Sequence, residues 1–139
     1  MIVIINGPCG IGKTSVAWEL NARFDRSVML DGDYIGAVQP FEIYDEARIT
    51  YLYRTMRHLV AFHIEQGDYH DFVIDYVFES PESLAALRHL LSDLDDEIYA
   101  FRLTGSPEAI LPTQPILTAA STPSGSPATR TRTWAPSGD

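Results

Sequence analysis

The chain has 139 residues, with 10 Lys and Arg against 19 Asp and Glu and a formal net charge of −9. That length suits one domain with a real core. The acidic balance and the scattered arginines argue against a broad nucleic-acid groove, which needs clustered cations.

Ile2-Val3-Ile4-Ile5 is a continuous apolar, β-branched run, which predicts a central parallel strand buried on both faces. It leads into Gly7-Pro8-Cys9-Gly10-Ile11-Gly12-Lys13-Thr14, which fits G-x-x-x-x-G-K-[ST] at every fixed position. Glycines let the backbone turn tightly and aim successive N–H groups inward, making a concave anion site. The helix that follows, from Ser15 to Phe24, adds unpaired N–H groups and a positive dipole end. Lys13 is expected to reach the β- and γ-phosphates of ATP, and the Thr14 hydroxyl to ligate Mg²⁺. The bland alternative is a Gly-rich strand-to-helix turn. Val16, Ala17, Leu20 and Phe24 have the spacing of a sheet-facing side, and Trp18 falls off it.

Val28-Met29-Leu30 reads as a second strand, with Asp31-Gly32-Asp33 at its carboxyl end. Ligands of open α/β sheets bind at such ends, so these two carboxylates suggest function; Asp and Gly are also common turn formers. A loop broken by Pro40 precedes a long helix from Asp45 to Gly67. Its apolar stripe is Ile49, Leu52, Met56, Leu59, Val60, His63 and Ile64, with His63 expected as an ordinary core histidine. The four histidines show no metal-site spacing.

Phe72 to Phe78 is the third expected strand. An acid near the end of such a strand is where P-loop enzymes place a metal-directed Asp. Asp75 fits that role, Glu79 is a second option, and a solvent-facing acid is the alternative. Ser80-Pro81-Glu82 is a helix start, with Leu84, Leu87, Leu90 and Leu91 as the buried side. An acidic loop from Asp93 to Asp96 leads to a fourth strand, Ile98 to Leu103. Ser106-Pro107-Glu108 repeats the helix-start pattern.

From Pro112 the chain is rich in Pro, Thr, Ser and Ala, and apolar periodicity stops. Such composition buries too little to offset chain entropy and predicts a disordered tail. The expected organisation is therefore a nucleotide-binding domain over 1–111 and a low-complexity tail over 112–139. Strands alternating with helices predict an α/β fold with a parallel sheet.

The phosphate loop followed by Leu30-Asp31-Gly32-Asp33 resembles the small P-loop kinases, the group of shikimate kinase, gluconate kinase, adenylylsulfate kinase and chloramphenicol phosphotransferase. The resemblance covers roughly 1–111. It implies a P-loop NTPase fold of three α/β/α layers. Gly10, Gly12, Lys13, Thr14 and Ser15 would hold the ATP phosphates and Mg²⁺. Asp33 would bind or deprotonate the acceptor hydroxyl, and Asp31 would help with the metal. Tyr34-Ile35-Gly36 departs from adenylylsulfate kinase, so its substrate is not carried over. The family's lid arginines and fifth strand have no match here, since the next arginines after Arg102 are Arg130 and Arg132. The expectation is a frameshifted or degenerate terminus, replacing the lid and last strand from about Leu111.

Together these features predict an ATP-dependent kinase acting on a small-molecule or nucleotide hydroxyl. The rival is a nucleotide-binding protein with little turnover because the lid is lost. A GTPase is disfavoured by the lack of an Asn-Lys-x-Asp motif, and a nucleic-acid kinase by the acidic charge. Cys9 is the one cysteine, so no internal disulfide can form. The N-terminal run is too short for a signal-peptide core, and no stretch approaches the roughly 20 apolar residues of a membrane helix. A cytoplasmic protein without a membrane partner is expected.

Overall fold

The structure is a computed structural model, and it describes residues 1–43 and 45–106. Its centre is the β-branched run read from the sequence. Strand β1 (Ile2–Asn6) lies between β3 (Asp71–Asp75) and β4 (Ile98–Arg102), and β2 (Ser27–Asp31) pairs with the far side of β3. All pairings are parallel, and the order is β2-β3-β1-β4.

Successive residues of β1 point to opposite faces, and each face has its own core. Ile2 and Ile4 are buried with Phe72, Ile74 and residues of helices α3 (Glu46–Gln66) and α4 (Pro81–Leu91). Val3 and Ile5 are buried with Val73 and with Ala17 of helix α1 (Lys13–Asn21). Two cores on two faces make the three-layer α/β/α arrangement that the alternating elements predict. They also explain why β1 carries no polar residue before Asn6.

The helix boundaries follow capping chemistry. The Asp45 carboxylate accepts from the Ala47 N–H to start α3, and Gly67 ends it at φ 75°. Such a left-handed residue suits glycine. Ser80 caps α4 through the Ser83 N–H, with Pro81 at its first position. Leu87 and Leu91 are fully buried, with Leu84 and Leu90 packed beside them, as their spacing predicts.

Several expectations need correction. Val16 is exposed rather than sheet-facing, because only Ala17 of α1 is buried among apolar residues and Leu20 and Phe24 complete the contact. His63 is half-buried at the end of α3, edge-on to the rings of Phe62 and Tyr69, rather than a core residue. Strand β3 stops at Asp75 rather than reaching Phe78. Asp31-Gly32-Asp33 does not form a plain turn. It begins a short helix, α2 (Gly32–Ile35), capped by Asp31 itself.

Strand β4 is an edge of the described sheet, and Tyr99 and Phe101 on it are exposed. No described helix is long and apolar enough to cross a membrane. The expectations about the helix start at Pro107, the lid, the fifth strand and the 112–139 tail lie outside the described residues.

Candidate functional site

The site is built at the carboxyl ends of three adjacent strands. Asn6 ends β1, Asp31 ends β2 and Asp75 ends β3, and register places Asp31 opposite Asp75 and Asp75 opposite Ile5.

The loop after β1 turns through two left-handed glycines, Gly10 at φ 79° and Gly12 at φ 94°. Residues with side chains rarely adopt such angles. A Cβ on Gly12 would meet nothing within 4 Å, so its left-handed backbone and not crowding is what favours glycine there. No side chain caps α1, and its first-turn N–H groups therefore face out of the helix start. Pro8, Cys9 and Gly10 are exposed on the rim, Ile11 is half-buried, and Thr14 and Ser15 are exposed at the helix start. Lys13 is buried, and its Nζ donates to the Pro8 carbonyl at 3.1 Å. It forms an ion pair with no carboxylate among the described residues. A buried ammonium tied only to its own loop, beside uncapped N–H groups, is a fit for a polyphosphate.

Thr14 Oγ1 donates to Asp75 Oδ2 at 2.8 Å. Asp75 is 3 % exposed, and its other oxygen, Oδ1, is buried without a partner. Burial pushes the Asp75 carboxyl above the usual carboxylate range, and the nearby Asp31 and Asp33 charges add to this. The Thr14 hydrogen bond and Lys13 oppose the shift. The Thr14 hydroxyl and the Asp75 carboxylate, with its one unpartnered oxygen, are oxygen donors of the kind a hard divalent cation such as Mg²⁺ takes.

Asp31 Oδ1 accepts from the N–H groups of Asp33 and Tyr34 at 2.9 and 3.2 Å. Its first structural job is therefore to cap α2. Gly32 lets α2 seat, because a Cβ there would lie 2.6 Å from the Tyr76 ring and 2.7 Å from Met56 Cε. The cap and the close approach together point Asp33 into a cleft of about 400 Å³ beside the phosphate loop. Cys9, Asp33, Arg48, Tyr53, Tyr76 and Glu79 are among its walls. Cys9 is a free thiol.

Sequence reading missed three residues here. Arg48 is 6 % exposed, and its guanidinium donates to the carbonyls of Gly36, Glu42 and Ile43 while lying over the Phe41 ring. It thereby ties the loop before α3 to that helix. The signal was present, since Arg48 precedes Leu52 and Met56 at helical spacing. Asn6 Oδ1 accepts from the N–H groups of Gly7 and Phe78, joining the phosphate loop to the segment after β3. Tyr53 packs against Tyr76 and Phe78, and its hydroxyl is pushed up to about 12 by burial and by the Tyr76 and Glu79 charges, against a Ser83 hydrogen bond.

Solved structures share this architecture. A sugar kinase from Janibacter sp. HTCC2649 superposes with a TM-score of 0.58 at 17 % identity, covering 78 % of this chain and 62 % of that one. The tunicamycin resistance protein of Deinococcus radiodurans gives 0.59 at 19 % identity, covering 79 % and 65 %. A hexameric APS kinase from Thiobacillus denitrificans gives 0.57 at 16 % identity, covering 82 % and 24 %. The chain shares the α/β fold of these three proteins. The chain spans less than two thirds of the length of each of these three proteins. No family model matches the sequence, and no curated protein does.

Proposed function

We propose that this protein is an ATP-dependent phosphotransferase that moves the γ-phosphoryl group of ATP to a hydroxyl of a small molecule or nucleotide. The observation that carries this reading is the Thr14–Asp75 contact with its orphaned oxygen, placed between the phosphate loop and the cleft that Asp33 lines. The kinase-like fold of its structural neighbours supports it.

Phosphoryl transfer needs positioning and charge neutralisation more than covalent chemistry from the protein. The N–H groups of Gly10, Gly12, Lys13, Thr14 and Ser15 and the Lys13 ammonium would hold the phosphates. Thr14 and Asp75 would hold Mg²⁺, with Asp31 beside them, and the ion would supply charge neutralisation at the phosphates. The acceptor oxygen forms a bond to Pγ as the bond from Pγ to ADP breaks. The hydroxyl proton passes to the Asp33 carboxylate, which is exposed to the cleft.

The test is calorimetry of ATP with Mg²⁺ on wild type and Lys13→Ala, then ATP turnover over a panel of hydroxyl compounds. Binding lost in Lys13→Ala, with acceptor-stimulated turnover lost in Asp33→Asn, is the expected result. Binding without stimulated turnover makes the protein a nucleotide binder instead. No binding at all removes the proposal.

A further inference from the structure

The cleft beside the phosphate loop has an unusual charge pattern for a pocket next to an anion site. Two carboxylates, Asp33 and Glu79, line it, and both residues are exposed. Among its described lining residues the only cationic side chain is Arg48. That guanidinium is 6 % exposed and already donates to three backbone carbonyls. Its face is covered by the Phe41 ring, with the guanidinium carbon 4.6 Å from the ring centre. An anion entering here would meet two like charges and a cation with little surface to offer, and would lose its hydration.

Apart from Cys9 and Ser83, the remaining described walls are apolar or aromatic. Tyr53 and Tyr76 meet edge-to-face at 6.5 Å, and Phe41, at 49 % exposure, gives the cleft an accessible ring. Rings of this kind favour a flat or apolar body, and carboxylates beside rings favour a cation.

We infer that the acceptor taken by this cleft is a hydroxyl compound with a flat or apolar body that carries no negative charge, which excludes nucleotides and sugar acids. This rests on reading the cleft as the acceptor side of the phosphotransferase proposed above. Neutral acceptors use the aromatic walls, and cationic ones add the pull of Asp33 and Glu79.

The test reads charge preference without nucleotide and without knowing the natural acceptor. The full chain is titrated with benzyl alcohol, benzylamine and benzoate while NMR follows the Phe41 and Tyr76 ring signals. Benzyl alcohol and benzylamine are expected to shift both rings and to bind at least about tenfold more tightly than benzoate. Ile43→Lys adds a cation to the cleft wall at an exposed position and is expected to bring benzoate within about threefold of benzyl alcohol. Benzoate binding as well as the other two in wild type overturns the inference, and so does the absence of ring shifts with all three probes. Loss of ATP binding in the calorimetry would remove the phosphotransferase and leave this preference standing. A preference for benzoate would remove the inference and leave ATP binding intact.

Discussion

Thr14 and Asp75 stand 61 residues apart in sequence, and the Thr14 hydroxyl donates to the Asp75 carboxylate at 2.8 Å. Parallel pairing of β1 with β3 brings them together, because it sets the glycine-rich loop and the end of β3 at the carboxyl end of the sheet. The contact leaves one carboxylate oxygen buried and unpartnered. Asp75→Asn keeps the shape and removes the charge. Under the proposed function, the Mg²⁺-dependent part of ATP affinity should fall by about 10- to 100-fold, the range seen when groups that orient a metal's ligands are altered. Calorimetry with Mg²⁺ and with EDTA checks this. Chelation should weaken binding to wild type and change the variant little.

Gly32 has no room for a side chain. A Cβ there would sit 2.6 Å from Tyr76 and 2.7 Å from Met56. Gly32→Ala should destabilise the protein by about 1–3 kcal/mol, the usual range for overpacking a close contact. Urea unfolding measures it. A midpoint equal to wild type would mean that α2 does not seat against α3 as described.

Arg48 serves the loop before α3. Arg48→Met leaves the carbonyls of Gly36, Glu42 and Ile43 without their donor and should destabilise by about 1.5–3 kcal/mol. Arg48→Lys should recover little, because one ammonium cannot reach three carbonyls that a planar fork reaches. Urea unfolding of both variants, with limited proteolysis across 36–45, distinguishes local loosening from global loss.

Tyr53 should ionise late. Its hydroxyl is pushed up to about 12, above the usual tyrosine value near 10. The folded state therefore favours the protonated phenol more than the unfolded chain does. That stability is fully present below about pH 10 and is lost as pH rises from about 10 towards 12. Absorbance at alkaline pH should show one late-titrating tyrosine that disappears in Tyr53→Phe. The urea midpoint of the variant should also fall less steeply between pH 9 and 11.5.

Much of the fold was legible because its signals are local. The run at Ile2–Ile5, the leucines of α4 and the caps at Asp45, Gly67 and Ser80 each carry their own chemistry, and all formed as the sequence predicts. The turn from β1 into α1 through Gly10 and Gly12 was legible because its glycines and lysine are fixed in spacing. Arg48 was not, because its role lies in carbonyls of a loop whose path no pattern reveals. Nor was the capping role of Asp31, since a capping carboxylate and a ligand-facing one look alike in sequence. Val16 was misplaced because α1 meets the sheet through a narrow contact around Ala17, and a helix wheel assumes a broad one.

The Asn6 side chain holds Gly7 on one side and Phe78 on the other through a single oxygen. Gly7 opens the glycine-rich loop after β1, and Phe78 neighbours Val77 and Glu79 of the cleft wall. One atom thus serves as the rivet between the Gly7–Thr14 loop and the segment after β3. Under the proposed function, any coupling carried by this link is reciprocal: if nucleotide tightens the grip on the acceptor, the acceptor tightens the grip on nucleotide by the same factor.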